Sequence, residues 1–115
     1  MNLLNNTTVI GRIGNDAVII PPSKNKSNQI LSFDLATENT YTDPSTGEQQ
    51  TQTNWYNVVM FFPKKKPIKI HENLIKGKLI TVCGIVSAQA YMDKKTNQPK
   101  AKLKLIVKPG EIKFL

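Results

Sequence analysis

The chain has 115 residues, with 16 Lys or Arg against 8 Asp or Glu, a formal net charge of +8. That length carries one domain with its own core, and the cationic excess points to an anionic partner, either nucleic acid or an anionic membrane surface. No apolar run approaches the ~20 residues of a membrane span, residues 1–4 lack the charge and apolar stretch of a signal peptide, and the lone Cys83 excludes an internal disulfide, so a cytoplasmic protein is expected.

Residues 3–13 (LLNNTTVIGRI) read as a first strand, with Val9, Ile10 and Ile13 apolar and Gly11 a bend or bulge. Gly14-Asn15-Asp16 reads as a turn, 17–20 (AVII) as a short second run, and 21–29 as a loop by composition. Residues 30–37 alternate Leu31, Phe33 and Leu35 against Ser32, Asp34 and Ala36, the pattern of a half-buried strand. Residues 40–52 are polar and hold Asp43-Pro44 and Thr46-Gly47. They read as a long hairpin loop with Tyr41 at its root.

Residues 53–62 (TNWYNVVMFF) are aromatic and β-branched, with no Gly or Pro until Pro63, and read as a long strand. A period of two puts Trp55, Asn57, Val59 and Phe61 on one face and Tyr56, Val58, Met60 and Phe62 on the other. Lys64, Lys65 and Lys66 follow at once. Rings that stack on bases beside ammonium groups that meet phosphates are what a single-stranded nucleic acid needs. The competing reading is a core Trp55 and Phe61 with the lysines in a solvated loop.

Residues 67–76 read as the one helix, with Pro67 suited to its first turn, Gly77 to the residue beyond its end, and Ile70/Leu74 and Ile68/Ile75 as an apolar stripe. Residues 78–87 read as a strand in which Cys83 is a small buried residue rather than a reactive thiol. A hairpin over 88–99 carries Tyr91 on its stem and Lys94 and Lys95 near its tip. Residues 100–105 alternate Lys100, Lys102 and Lys104 against Ala101, Leu103 and Leu105. If that cationic face lies beside the aromatic one it follows a phosphate backbone; if it lies elsewhere it is ordinary solubility. Pro109-Gly110 turns the chain into a last strand, 111–115, and no internal repeat is expected. Five main strands, with one short helix between the third and fourth, make an all-β oligonucleotide/oligosaccharide-binding (OB) barrel formed by a single domain, 1–115.

No enzyme chemistry is expected. His71, the only histidine, reads as packed or hydrogen-bonded, and no Cys or His cluster has metal-ligand spacing. No Gly-rich phosphate loop occurs, and the carboxylates are scattered, so no cofactor, metal or small-molecule substrate is implied.

Several segments together resemble the bacterial single-stranded DNA-binding protein family: Gly11-Arg12-Ile13-Gly14-Asn15-Asp16, Phe33-Asp34-Leu35-Ala36-Thr37, Thr46-Gly47-Glu48, Thr53-Asn54-Trp55-Tyr56-Asn57-Val58-Val59, Lys76-Gly77 and Ile112-Lys113-Phe114-Leu115. Each is short, but they come in the right order over nearly the whole chain. The resemblance implies an OB barrel, a homo-oligomer (tetramer, or dimer), and sequence-independent coating of single-stranded DNA in bacterial replication, recombination and repair, in the nucleoid-bearing cytoplasm and with replication or repair proteins as further partners. By position it implies base stacking at Trp55, Phe61, Tyr41 and Tyr91, the last two where the family often has Trp or another aromatic. It implies phosphate contact at Arg12, whose planar fork suits phosphate, and a subunit contact at Tyr56. Lys64, Lys65, Lys66, Lys94, Lys95, Lys100, Lys102 and Lys104 supply the remaining candidate phosphate contacts.

Three features depart from the family pattern. Asp16-Ala17 stands for its usual Asp-Pro, no Gly follows Phe61, and the acidic-tipped tail is missing after Leu115. The last reads as a trimmed chain or a tailless relative, such as the primosomal replication-restart protein or a plasmid- or phage-borne form. An adaptor on the same barrel, acting mainly through protein contacts, is the second functional reading.

Overall fold

The computed structural model describes residues 6–22, 28–64 and 67–115. Strands β1 (Thr7–Ile13), β2 (Val18–Ile20), β3 (Asn28–Thr42), β4 (Gln49–Pro63), β5 (Leu79–Met92) and β6 (Pro99–Phe114) follow in sequence, with one 3-10 turn, Ile70–Asn73, between β4 and β5. Their order in space is β1-β5-β6-β4-β3-β2, and β1 pairs back onto β3 at Arg12↔Ala36 and Ile13↔Leu35. Five strands thus close a barrel and β2 extends the β3 edge, which is the OB architecture. The β4–β6 pairing is parallel, from Tyr56↔Leu103 to Val59↔Ile106.

Alternation fills the barrel as the sequence requires. Leu31, Phe33 and Leu35 of β3 meet Val58, Met60 and Phe62 of β4, with Ile80, Val82, Leu105 and Val107 closing the other side. Each such side chain contributes about 1.5–3 kcal/mol on burial. Among the described residues no polar or charged side chain is fully buried. Closure also needs Gly11. A Cβ there would run into the Ala36 carbonyl oxygen and lie 3.1 Å from Leu35 Cγ. Only a residue without a side chain lets β1 and β3 approach this closely.

Three sequence expectations change. The ten-residue helix is a single 3-10 turn, because the flanking backbone bonds elsewhere. Leu74 O accepts from Ala17 N (2.9 Å), Lys76 N donates to Asp16 Oδ1 (2.9 Å), and Gly77 N donates to Ile13 O (2.8 Å). Ile68 and Leu74 are both buried, a spacing that caps the barrel rather than lining one helical face. The long polar loop is mostly strand, since β3 and β4 stay paired from Asn28↔Pro63 to Thr42↔Gln49. The separate last strand belongs to β6. Between Val82↔Ile112 and Gly84↔Val107 the chain bulges at residues 108–111, with Gly110 at φ 94°.

The two hairpin arms end in the same turn, a short internal repeat that the sequence reading missed. In the first, Asp43 N donates to Glu48 O, Gly47 N to Asp43 O, and Ser45 N to Asp43 Oδ1. In the second, Asp93 N donates to Gln98 O, Asn97 N to Asp93 O, and Lys95 N to Asp93 Oδ1. Gly47 (φ 74°) and Asn97 (φ 56°) occupy the matching left-handed position, which Gly and Asn tolerate best. Tyr41 and Tyr91 each stand two residues before the turn aspartate.

Candidate nucleic-acid interface

Directly opposed residues of neighbouring strands share a face, so the register fixes which side chains meet. Trp55 lies opposite Ala36, Asn57 opposite Asp34, Val59 opposite Ser32 and Phe61 opposite Ile30. These residues point out of the barrel. Trp55 is 56% exposed and Phe61 41%, so neither is a core residue. Between them, Asn57 Nδ2 donates to Ser32 Oγ (3.1 Å) and Asp34 Oδ1 (3.2 Å).

The parallel pairing carries this face onto β6, where Asn57 sits beside Lys104 and Val59 beside Ile106. Alternation then puts Lys102 and Lys100 on the same side. On β5, Ser87 opposes Lys104, Gln89 opposes Lys102 and Tyr91 opposes Lys100. Lys102 Nζ stands 5.9 Å from the centre of the Tyr91 ring, within cation–π range. The cationic row therefore lies beside the aromatic one. Trp55, Phe61, Tyr91, Lys100, Lys102 and Lys104 share one outer surface crossing β4, β6 and β5.

Arg12 borders this surface. It is exposed on β1 between Ala36 and Leu79, and Nη1 donates to Gly77 O at 3.1 Å, fixing one arm of the fork. Arg12, Ala36 and Trp55 form a row across β1, β3 and β4. Lys100 is less free, since its Nζ pairs with Asp93 Oδ2 at 2.6 Å. That contact, with the Lys95 amide, holds the Asp93 carboxyl below its ordinary value. In the first tip the Ser45 hydroxyl and amide do the same for Asp43.

The remaining expected site residues scatter. Tyr41 opposes Gln50, an odd number of positions from Trp55, and so occupies the reverse face of the β3–β4 arm. Tyr56 points inward, half-buried against the core beside Leu35 and Leu103. Lys94 and Lys95 are exposed at the second tip, and Lys64 is exposed at the end of β4, its carbonyl accepting from Gln29 Nε2 at 3.1 Å. Lys65 and Lys66 lie outside the described residues, as does the start of the expected first strand at residues 3–5.

Cys83 corrects its expectation. It faces outward and is half-buried, its Sγ 3.0 Å from Asn6 Oδ1, because outward alternation on β5 and the β6 bulge uncover it. His71 is half-buried on the 3-10 turn, with no hydrogen-bond partner for Nδ1 among the described residues. Two contributors escaped the sequence reading. Gly14 underlies Trp55 and Asn57 bridges Ser32 and Asp34. Both residues stood in segments that carry the resemblance, and Asn57 shared the Trp55 face by the period-two pattern, but neither pattern showed these contacts.

The sequence matches the model of the Single-strand binding protein family over residues 4–115. Among solved structures, the Plasmodium falciparum SSB complex with ssDNA superposes with a TM-score of 0.70 at 24% identity, covering 100% of this chain and 97% of that one. The small single-stranded DNA-binding protein from Streptomyces coelicolor gives a TM-score of 0.71 at 16% identity, covering 100% and 96%. At those identities the two structures speak to the fold, and the family match, running to the last residue, speaks to descent. This chain belongs to the single-strand binding protein family.

Proposed function

We propose that the protein coats single-stranded DNA without regard to sequence, serving replication, recombination and repair in a bacterial cytoplasm. The observation that carries this reading is the shared outer face, where exposed Trp55 and Phe61 stand one strand away from Lys104 and its row. In this reading bases stack on Trp55 and Phe61, with Tyr91 as a further platform. Lys100, Lys102, Lys104 and Arg12 meet the phosphates, with Lys64, Lys94 and Lys95 at the margins. Every base has a π-face and every nucleotide a phosphate, so such a surface does not discriminate sequence. The role is binding, without a catalytic step. Among the described residues no helix is long and apolar enough to cross a membrane.

The working form is a homo-oligomer, tetramer or dimer. Outward Ile10 and Ile85 are exposed on β1 and β5, and Ile85 lies opposite Ile106. A symmetric partner would cover such a face. Titration of equal lengths of single-stranded DNA, duplex DNA and RNA tests the binding reading. A strong preference for single-stranded DNA is expected; weak, equal binding to all three would contradict it.

A further inference from the structure

The outer face is divided by charge across its strands. On β6 it carries Lys100, Lys102 and Lys104. On β3 it carries Asp34 and Glu38, which the register sets opposite Asn57 and Thr53 on the Trp55 side. Both carboxylates are exposed, and among the described residues neither is ion-paired. β4, with Trp55 and Phe61, runs between the two margins. A phosphate backbone is drawn to the β6 margin and repelled from the β3 margin. Its bases then point across β4 toward β3.

Asp34, Asn57 and Lys104 form one row across this path. The ends of the row are two strand spacings apart, about 10 Å, comparable to the reach of a nucleotide from its phosphate to its Watson–Crick edge. Along β4, Asn57 stands two residues from Trp55, about 7 Å. A base held against Trp55 with its phosphate at Lys104 therefore ends at Asp34 and Asn57.

Hydrogen bonds fix what the base edge meets there. Asn57 Nδ2 donates to Ser32 Oγ and to Asp34 Oδ1, so both of its hydrogens are used. Asp34 Oδ2 and Asn57 Oδ1 have no partner among the described residues, and both are acceptors. The backbone beneath is anchored, since Asp34 N donates to Asn15 Oδ1 (2.9 Å) and Asp34 O accepts from Gly14 N (2.8 Å). A pair that offers only acceptors suits a base with an exocyclic amino group, cytosine above all. It does not suit thymine or uracil, whose Watson–Crick edge is two carbonyl oxygens flanking one N–H.

We propose that Asp34, oriented by Asn57, reads base edges on this surface. Its Oδ2 accepts from the exocyclic amino group of a base held against Trp55, so that cytosine is preferred to uracil or thymine. This rests on the function proposed above. It adds a graded preference to a surface whose stacking and phosphate contacts have none.

The test measures binding of the parent protein and of Asp34→Asn to oligo(dC) and oligo(dU) of one length, which differ only at the Watson–Crick edge. The readout is the ratio of the two affinities in the variant against that in the parent, which cancels differences between the free strands. Asn keeps an oxygen to accept from Asn57 and turns the outer acceptor into a donor, so the ratio should move toward oligo(dU) by about fivefold or more. The melting temperature should not change, because the side chain is exposed. On the parent, oligo(dC) dimethylated at N4 lacks the donors and should bind about as weakly as oligo(dU), a comparison that needs no variant. An unchanged ratio, or undiminished binding of the dimethylated strand, would overturn base reading and leave the proposed function intact. A joint rise of both affinities at constant ratio would make Asp34 a repeller of phosphates only, and would overturn it too. Failure of the parent to bind either oligonucleotide would overturn both readings.

Discussion

The six-membered edge of Trp55 rests on the backbone of Gly14. A Cβ at position 14 would collide with ring atom Cζ3 and lie 2.9 Å from Cη2. Gly14 is itself anchored, its N–H donating to Asp34 O at 2.8 Å. The turn after β1 thus sets the pose of the exposed ring, although neither residue touches the core. Gly14→Ala should displace the ring and weaken oligonucleotide binding, while the fold stays intact. Gly11→Ala should do the reverse. Its Cβ meets the Ala36 carbonyl, and overpacking of this kind costs about 1–3 kcal/mol of stability. Melting curves and binding curves on the two variants check the contrast.

The lysine row has a salt signature. Replacing Lys102 and Lys104 by Ala should flatten the dependence of log K on log salt by roughly one unit or more, at about 0.7 per phosphate on a single strand, and should do so alike for every sequence. An unchanged slope would remove β6 from the phosphate path.

Asp93 restrains Lys100. Its carboxyl titrates below the ordinary 3.8, chiefly through Lys100. A lowered value means that the ion pair is complete above the unfolded carboxylate range and is lost as pH falls through the folded value. At neutral pH the pair persists, so Asp93→Asn should release Lys100 while keeping the oxygen that accepts from Lys95 N. The expected outcome is tighter binding at low salt and a slope steeper by up to about 0.7. Unchanged affinity and slope would show that Lys100 meets no phosphate.

Assembly has its own check. Sedimentation at tens of micromolar without DNA should give a multiple of the 12.9 kDa chain mass. Ile85→Glu, on the outer apolar face, should lower it. A monomer in both cases would contradict the oligomer.

Where burial alternates, the sequence was legible. Leu31, Phe33 and Leu35 repeat every second residue because one face of β3 is core, and on β6 Leu105 is core while Lys104 beside it faces outward with Asn57. The arms were not legible, because Thr40, Gln50 and Gln52 are exposed and carry no burial pattern. Their pairing is held by the backbone ladder and by the Asp43 turn at its end. The helix expectation failed for a tertiary reason. Pro67 and Gly77 bound a helix-like stripe, but Asp16 and Ile13 take the backbone groups that a helix would have used. Period alone grouped Trp55 with Phe61 on one face but left a core position open for both; their exposure in the fold makes that face the outer one. Tyr41 was separated from them only by the unbroken register running from Asn28 to Thr42, which composition does not reveal.

The central claim is that bases stack on Trp55, and the chain's single tryptophan allows a direct measurement. Indole emission is followed while oligo(dT) is added. Strong quenching is expected, saturating at a fixed number of nucleotides per subunit. Trp55→Ala should then lose about 1–3 kcal/mol of affinity per stacked base with its melting temperature nearly unchanged. Unquenched emission on a protein that still binds, or a collapsed melting temperature in Trp55→Ala, the roughly 3–5 kcal/mol cost of a core aromatic, would contradict the account.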